Sequence, residues 1–282
     1  MLPSSVGRWV PPLTPSVMRA IASRQNPVVS DFRELAARPD PMGERVLLDG
    51  AHLVREALSA GLRFETAVVA TSRLVGRTEE ADLAELLASR GVDVASADER
   101  AFGAVSPTRQ PSGIAAIAHR TAATPDDLVR SETPLILVAA EIQDPGNVGG
   151  LIRAAEAGGA TGVLVTAGSA NPFSWKALRG SMGSALRLPV VTGLDLDAAM
   201  DALDARTVGA VAAVPRSGVD PDALDWSGRV AVWIGAEGLG LPAHIVRRCP
   251  RRVTIPMTEP VESLNAAVAA GVLVYAARRH RS

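Results

Sequence analysis

The sequence predicts an α/β protein of two units: a smaller amino-terminal α/β unit and a larger carboxyl-terminal one built on a parallel sheet. Three observations predict it. Short apolar runs alternate with helical patterns along the whole chain. In the second half several of these runs are continuous rather than alternating, as a parallel sheet covered on both faces requires. Between the halves, residues 119–133 are polar, lack a sustained apolar period and end at Pro134, which marks a linker.

Residues 1–15 are rich in Pro and Ser and are expected to be poorly ordered or loosely docked. A helical pattern then covers 16–38 and breaks at Pro27. Strands are expected at 46–49, 66–70, 92–95 and 113–118. Helices are expected at 52–60, ended by Gly61, and at 79–89. These make a substrate-binding unit over 16–118. In the second unit, 134–282, strands are expected at 135–140, 162–166, 189–192, 208–214, 230–234 and 252–255. Its helices are expected at 147–157, 175–180, 197–204, 242–248 and 263–279.

The bulk numbers bound the function. With 47% hydrophobic residues in 282, real cores are assured. The 29 Lys and Arg nearly cancel the 30 Asp and Glu, so no global field draws the chain onto nucleic acid, and such contact must come from local patches. Arg247, Arg248, Arg251, Arg252 and the tail of Arg278, Arg279, His280 and Arg281 are the candidates, with a solvated surface as the alternative. Lys176 is the lone lysine. Arginine supplies planar donors that suit phosphates. Cys249 stands alone and the four histidines lack ligand spacing, so metal catalysis is not expected. The amino terminus lacks a secretory pattern and no apolar run reaches membrane-spanning length; a cytoplasmic protein is expected.

Three clusters could carry chemistry. The first, Glu141 to Arg153, places Asn147 as a helix cap, with Gly149 and Gly150 in the first turn. Two glycines there cost helix stability, which a close approach by another group would offset. Arg153 falls nearly two turns later; an arginine aimed at the strand ends and a solvated one both remain open. The second cluster, Gly235 to Pro242, has the order G-x-x-G-x-G and is not a dinucleotide fingerprint. Glu237 inside it would repel a pyrophosphate, so a cationic or neutral ligand is the better match. The third cluster, Ile255 to Asn265, carries Ser263 as a helix cap and is followed by an alanine-rich face suited to close packing.

These clusters resemble, in order and spacing, the three motifs of the SpoU/TrmH branch of the SPOUT methyltransferases. The resemblance covers 134–282. It extends weakly to the first unit through Arg24-Gln25-Asn26-Pro27, Asp49-Gly50-Ala51-His52-Leu53-Val54 and Pro111-Ser112-Gly113-Ile114, which are similar to that family's RNA-binding domain. The resemblance implies a SPOUT domain with a deep trefoil knot, a rare exception to unknotted connectivity. It implies S-adenosyl-L-methionine as cofactor, with Gly235, Ile255 and Leu264 at the contact positions and the backbone around Leu241 and Met257 joining them. Arg153 matches the arginine proposed to activate a ribose 2′-hydroxyl. Arginine is a poor base as a residue type, so binding the adjacent phosphate is the expected part of its role. Asn147 would orient it, and Glu237, Ser263 and Asn265 match the polar residues completing the site. Ala236 stands where many relatives have asparagine, and Asp49 where they often have glutamate.

The resemblance also implies a homodimer through the knot helices, with the alanine-rich face of the last helix as its contact. The expected reaction is methylation of a ribose 2′-hydroxyl in structured RNA, ribosomal RNA ahead of transfer RNA because an amino-terminal domain is present. A non-catalytic RNA-binding or ribosome-assembly protein on the same scaffold is the alternative from another class.

Overall fold

The computed structural model describes residues 18–281. The expectation for 1–15 therefore lies outside the described residues.

The first unit is a five-stranded sheet of β1 (Arg19–Ile21), β2 (Arg45–Asp49), β3 (Arg63–Ala70), β4 (Asp93–Ala97) and β5 (Ile114–His119), in the order β1-β4-β3-β5-β2. Its helices are α1 (Pro27–Ala37), α2 (Ala51–Ser59), α3 (Glu79–Ser89) and α4 (Glu99–Val105). Strand β5 runs antiparallel to both β2 and β3, so the sheet is mixed. The expected helix over 16–26 is not formed by its described part. Arg19–Ile21 is instead a strand paired in parallel with β4, and α1 begins at Pro27 with Asn26 capping the amide of Val28. A proline at the first helical position costs no hydrogen bond, so the helix starts there.

The second sheet is parallel throughout, in the order β11-β9-β10-β6-β7-β8. Its strands are β6 (Leu135–Ala139), β7 (Gly162–Val165), β8 (Val190–Thr192), β9 (Gly209–Ala213), β10 (Val230–Ile234) and β11 (Arg251–Val253). Its helices are α5 (Pro145–Ala157), α6 (Trp175–Ser181), α7 (Ser184–Arg187), α8 (Leu196–Asp204), α9 (Ala243–Arg248) and α10 (Ala266–Arg281). Both β6 and β10 are buried along their whole lengths, as their unbroken apolar runs require. The segment 119–133 is docked: Leu128 is fully buried, and its carbonyl accepts from the Thr161 hydroxyl at 3.0 Å.

Neighbours β6 and β10 mark the switch point. The chain leaving β6 passes to β7 on one side, while the chain leaving β10 passes to β11 on the other. Ligand crevices in open parallel sheets form where connections diverge at the carboxyl ends of strands.

The units meet through α6 and α7. Arg179 approaches the buried Asp49 carboxylate at 3.9 Å, and Arg187 pairs with Glu56. Burial pushes the Asp49 carboxyl up; donation from Ser106 at 2.8 Å and Ser112 at 3.0 Å opposes that. Arg120 lies 4.0 Å from the Phe173 ring centroid and donates to the carbonyls of Met42 and Gly43; burial lowers its pKa to about 10.

Candidate active site

The turn out of β6 is built by strain and side-chain caps. Glu141 adopts a left-handed φ of 57°, and its amide donates to the Thr166 hydroxyl at 3.1 Å. A non-glycine residue there is costly and marks a constrained site. Asp144, not Asn147, caps α5: its carboxylate accepts from the Asn147 amide at 2.9 Å, with Pro145 at the helix start. That frees the Asn147 side chain.

The glycines of α5 serve packing within the chain. A Cβ at Gly149 would overlap the Ala177 carbonyl of α6, and one at Gly150 would press on Ala267 of α10 at 2.9 Å. Gly158 and Gly271 continue the same contact with α10, through Val274 and Ala154. The alanine-rich face of α10 expected at a dimer contact thus lies, at these positions, against α5. What α10 exposes is a stripe of Val268, Val272 and Tyr275 at helical spacing.

The loop after β10 folds back on itself. Ala236 bridges Gly240, and a Cβ at Gly235 would overlap the backbone of Gly240 and Leu241. Only glycine permits that approach. Glu237 is exposed on this loop and ties three segments together. Its Oε1 accepts from Asn147 Nδ2 at 2.7 Å and from Asn265 Nδ2 at 2.9 Å, while Asn265 Nδ2 also reaches Asn147 Oδ1 at 2.8 Å. The carboxylate further lies 3.5 Å from the Ala266 amide, at the positive end of α10.

Asn265, not Ser263, caps α10. Its Oδ1 accepts from the amides of Ala267 at 3.0 Å and Val268 at 3.3 Å, and the helix begins at Ala266. Ser263 is exposed ahead of the helix.

Asn147, Glu237 and Asn265 are therefore brought together. Arg153 is exposed on the outer face of α5 and has neither ion pair nor hydrogen bond among the described residues. Asn147 does not hold it, since its amide group is engaged with Glu237 and Asn265. Ile255, Met257 and Leu264 are half-buried on the return from β11, Leu241 is half-buried on the loop after β10, and Gly235 lies at its start. This set carries no cation, and Glu237, Glu141 and Asp144 stand at the surrounding strand ends. Apolar side chains and nearby carboxylates suit a positively charged ligand with apolar parts, not a phosphate.

The arginine cluster at the carboxyl end is largely engaged in structure. Arg248 contacts Asp197, Asp201 and Asp204 at 3.3, 2.5 and 2.9 Å. Arg281 donates to the carbonyls of Trp226, Thr133 and Gly228, and Arg279 pairs with Asp222. No group of His, Cys, Asp and Glu among the described residues could hold a metal ion.

Comparison with known proteins bears on both units. Residues 134–275 match the model of the SpoU rRNA Methylase family, and residues 32–116 match that of the MRM3-like substrate binding domain. The chain is 32% identical over 260 residues to the 23S rRNA (guanosine(2553)-2′-O)-methyltransferase RlmP of Bacillus subtilis, covering 92% of this chain and 98% of that one. An uncharacterized tRNA/rRNA methyltransferase of Synechocystis is also 32% identical, over 96% of this chain and 97% of its own length. Among solved structures, an AdoMet-bound rRNA methyltransferase from Sinorhizobium meliloti superposes with a TM-score of 0.81 at 27% identity, over 93% of this chain and 98% of that one. The SpoU methyltransferase AviRb from Streptomyces viridochromogenes, in complex with AdoMet, gives 0.80 at 25% identity, over 91% and 98%.

Proposed function

The chain belongs to the SpoU rRNA methylase family, and from that premise we propose that it methylates a ribose 2′-hydroxyl of structured RNA, ribosomal RNA ahead of transfer RNA. The observation that carries this reading is the Asn147–Glu237–Asn265 cluster, which joins the three motifs at the switch point, with the unpartnered Arg153 on the same helix as Asn147.

S-adenosylmethionine, when bound, supplies an electrophilic methyl group on a sulfonium. Gly235, Leu241, Ile255, Met257 and Leu264 would hold it, by backbone groups and apolar side chains. Asn147, Glu237 and Asn265 are positioning residues: they fix the loop after β10 against the starts of α5 and α10, so the pocket is shaped before the ligand arrives. Arg153 is the catalytic residue. Its guanidinium would bind the phosphate beside the target ribose and stabilise the negative charge left on O2′ as its proton passes to solvent, before O2′ takes the methyl carbon and the carbon–sulfonium bond breaks. The exposed Ser263 hydroxyl completes the polar rim.

The contacts of Asn265 and Ala266 with Glu237 support reading the return from β11 as a trefoil knot threaded past the loop after β10. The exposed Val268, Val272 and Tyr275 stripe supports a homodimer through α10. No helix among the described residues is long and apolar enough to cross a membrane.

Tritiated S-adenosylmethionine and RNA from cells lacking the enzyme test this reading. Label entering one ribosomal RNA, at a linkage that then resists alkaline cleavage, is expected. Label confined to transfer RNA would move the substrate. Donor binding without transfer to any RNA would favour a non-catalytic scaffold.

A further inference from the structure

An open cleft of about 790 Å³ lies between α1 and α4 of the first unit and the start of α6 in the second. It is distant in sequence from the methyl-transfer cluster and draws its walls from both units. Ala37, Gly103 and Ala104 leave its walls low. Trp175 closes one side, half-buried against the first unit's core and still lining the cleft. The Lys176 ammonium stands 5.5 Å from the indole centroid.

The rim is basic. Arg24 donates through Nε to the Arg100 carbonyl at 3.2 Å, which fixes the guanidinium and leaves its outer nitrogens available. Arg33, exposed on α1, has no ion pair or hydrogen bond among the described residues. Glu34 is the opposing carboxylate among the lining residues. A flat aromatic wall, small side chains and two guanidinia match an unpaired nucleotide, whose base stacks while its phosphate meets arginine. The volume falls within the range of small-ligand sites and exceeds what a side chain alone would fill.

Helix α6 connects the cleft to the site. From Trp175 to Gly180 it rises about 7 Å, and a Cβ at Gly180 would lie 3.2 Å from the Gly146 carbonyl in the first turn of α5. A nucleotide on Trp175 would therefore be placed relative to Asn147 by one short rigid helix.

We infer that this cleft is a second RNA subsite, in which an unpaired nucleotide outside the methylated position stacks on Trp175 with its phosphate between Arg24 and Arg33. The inference rests on the reading of the protein as an RNA methyltransferase. Trp175 and Arg33 are binding and specificity residues, with no part in the transfer step.

The test measures dissociation constants for 23S ribosomal RNA and for poly(U), without methyl donor, for the full chain and for Arg33→Glu, Trp175→Ala and Trp175→Phe. S-adenosylmethionine affinity and thermal midpoint are measured alongside. Arg33→Glu is expected to weaken RNA binding about tenfold with donor affinity unchanged, since a phosphate contact is lost and reversed. Trp175→Ala is expected to weaken it about tenfold and raise KM for RNA with little change in kcat, while Trp175→Phe, which keeps a ring, stays within about threefold of wild type. If Trp175→Ala fails to fold, Arg33→Glu and Trp175→Phe still decide. RNA affinity unchanged in Arg33→Glu, or lost as fully in Trp175→Phe as in a folded Trp175→Ala, would overturn the subsite. Wild-type protein that methylates RNA while these variants behave as wild type refutes the cleft alone. Wild-type protein that neither binds nor methylates RNA refutes the methyltransferase reading itself.

Discussion

Two arginine regions of this molecule contrast sharply. Around Arg248 three carboxylates converge, Arg279 pairs with Asp222, and Arg281 is spent on backbone carbonyls of neighbouring loops. Arg153, one residue on a helix whose other faces are packed, has no partner at all among the described residues. The lesson concerns where charge is free to act. A basic run in sequence is a count, whereas chemistry needs a guanidinium left unpaired beside a preorganised site. By that criterion Arg248, Arg279 and Arg281 serve the fold, and Arg153 is the guanidinium proposed to meet the substrate.

Substitutions can break or sharpen this contrast, and the largest effect is expected at Arg153. Arg153→Ala should lower methyl transfer about 100-fold or more, with S-adenosylmethionine affinity nearly intact by calorimetry; equal loss of both would make the residue structural. Leu264→Asp should act in the opposite way, weakening donor binding at least about tenfold by placing a polar group on the apolar side of the pocket. Unchanged donor affinity there would show that the pocket lies elsewhere. Glu237→Gln removes the charge that two asparagine amides and the start of α10 share. It should reduce transfer about tenfold and cost about 1 kcal/mol in chemical denaturation, because the acceptor that three segments share loses its charge. The smallest effect is expected at Arg248. Arg248→Ala should cost about 1 kcal/mol or less of stability and leave RNA affinity unchanged, as filter binding would show. A large loss of RNA binding in that variant would erase the contrast.

The second sheet was legible because its strands are continuous apolar runs, a pattern few other structures tolerate. The helix expected at 79–89 is likewise formed, over Glu79–Ser89. Misreadings came where local signals compete. Residues 19–21 look helical with their neighbours, yet an edge pairing with β4 makes them a strand. Asn147 and Ser263 are good capping types, but Asp144 and Asn265 stand nearer the true helix starts. The short α4, with a glycine inside it, gave no pattern to read. All members of the polar cluster were legible one by one. Their mutual bonds were not, since 90 and 118 residues separate Asn147 from its two partners. The Trp175 cleft lay further out of reach, because its walls come from helices on either side of the 119–133 segment.

The most direct test of the account is nucleoside mass analysis of ribosomal RNA methylated by the pure enzyme with isotopically labelled S-adenosylmethionine, run beside Arg153→Ala. The account predicts label on the ribose of one nucleotide, its base unmodified, and almost none with the variant. Label on a base, or equal ribose labelling by the variant, would contradict it.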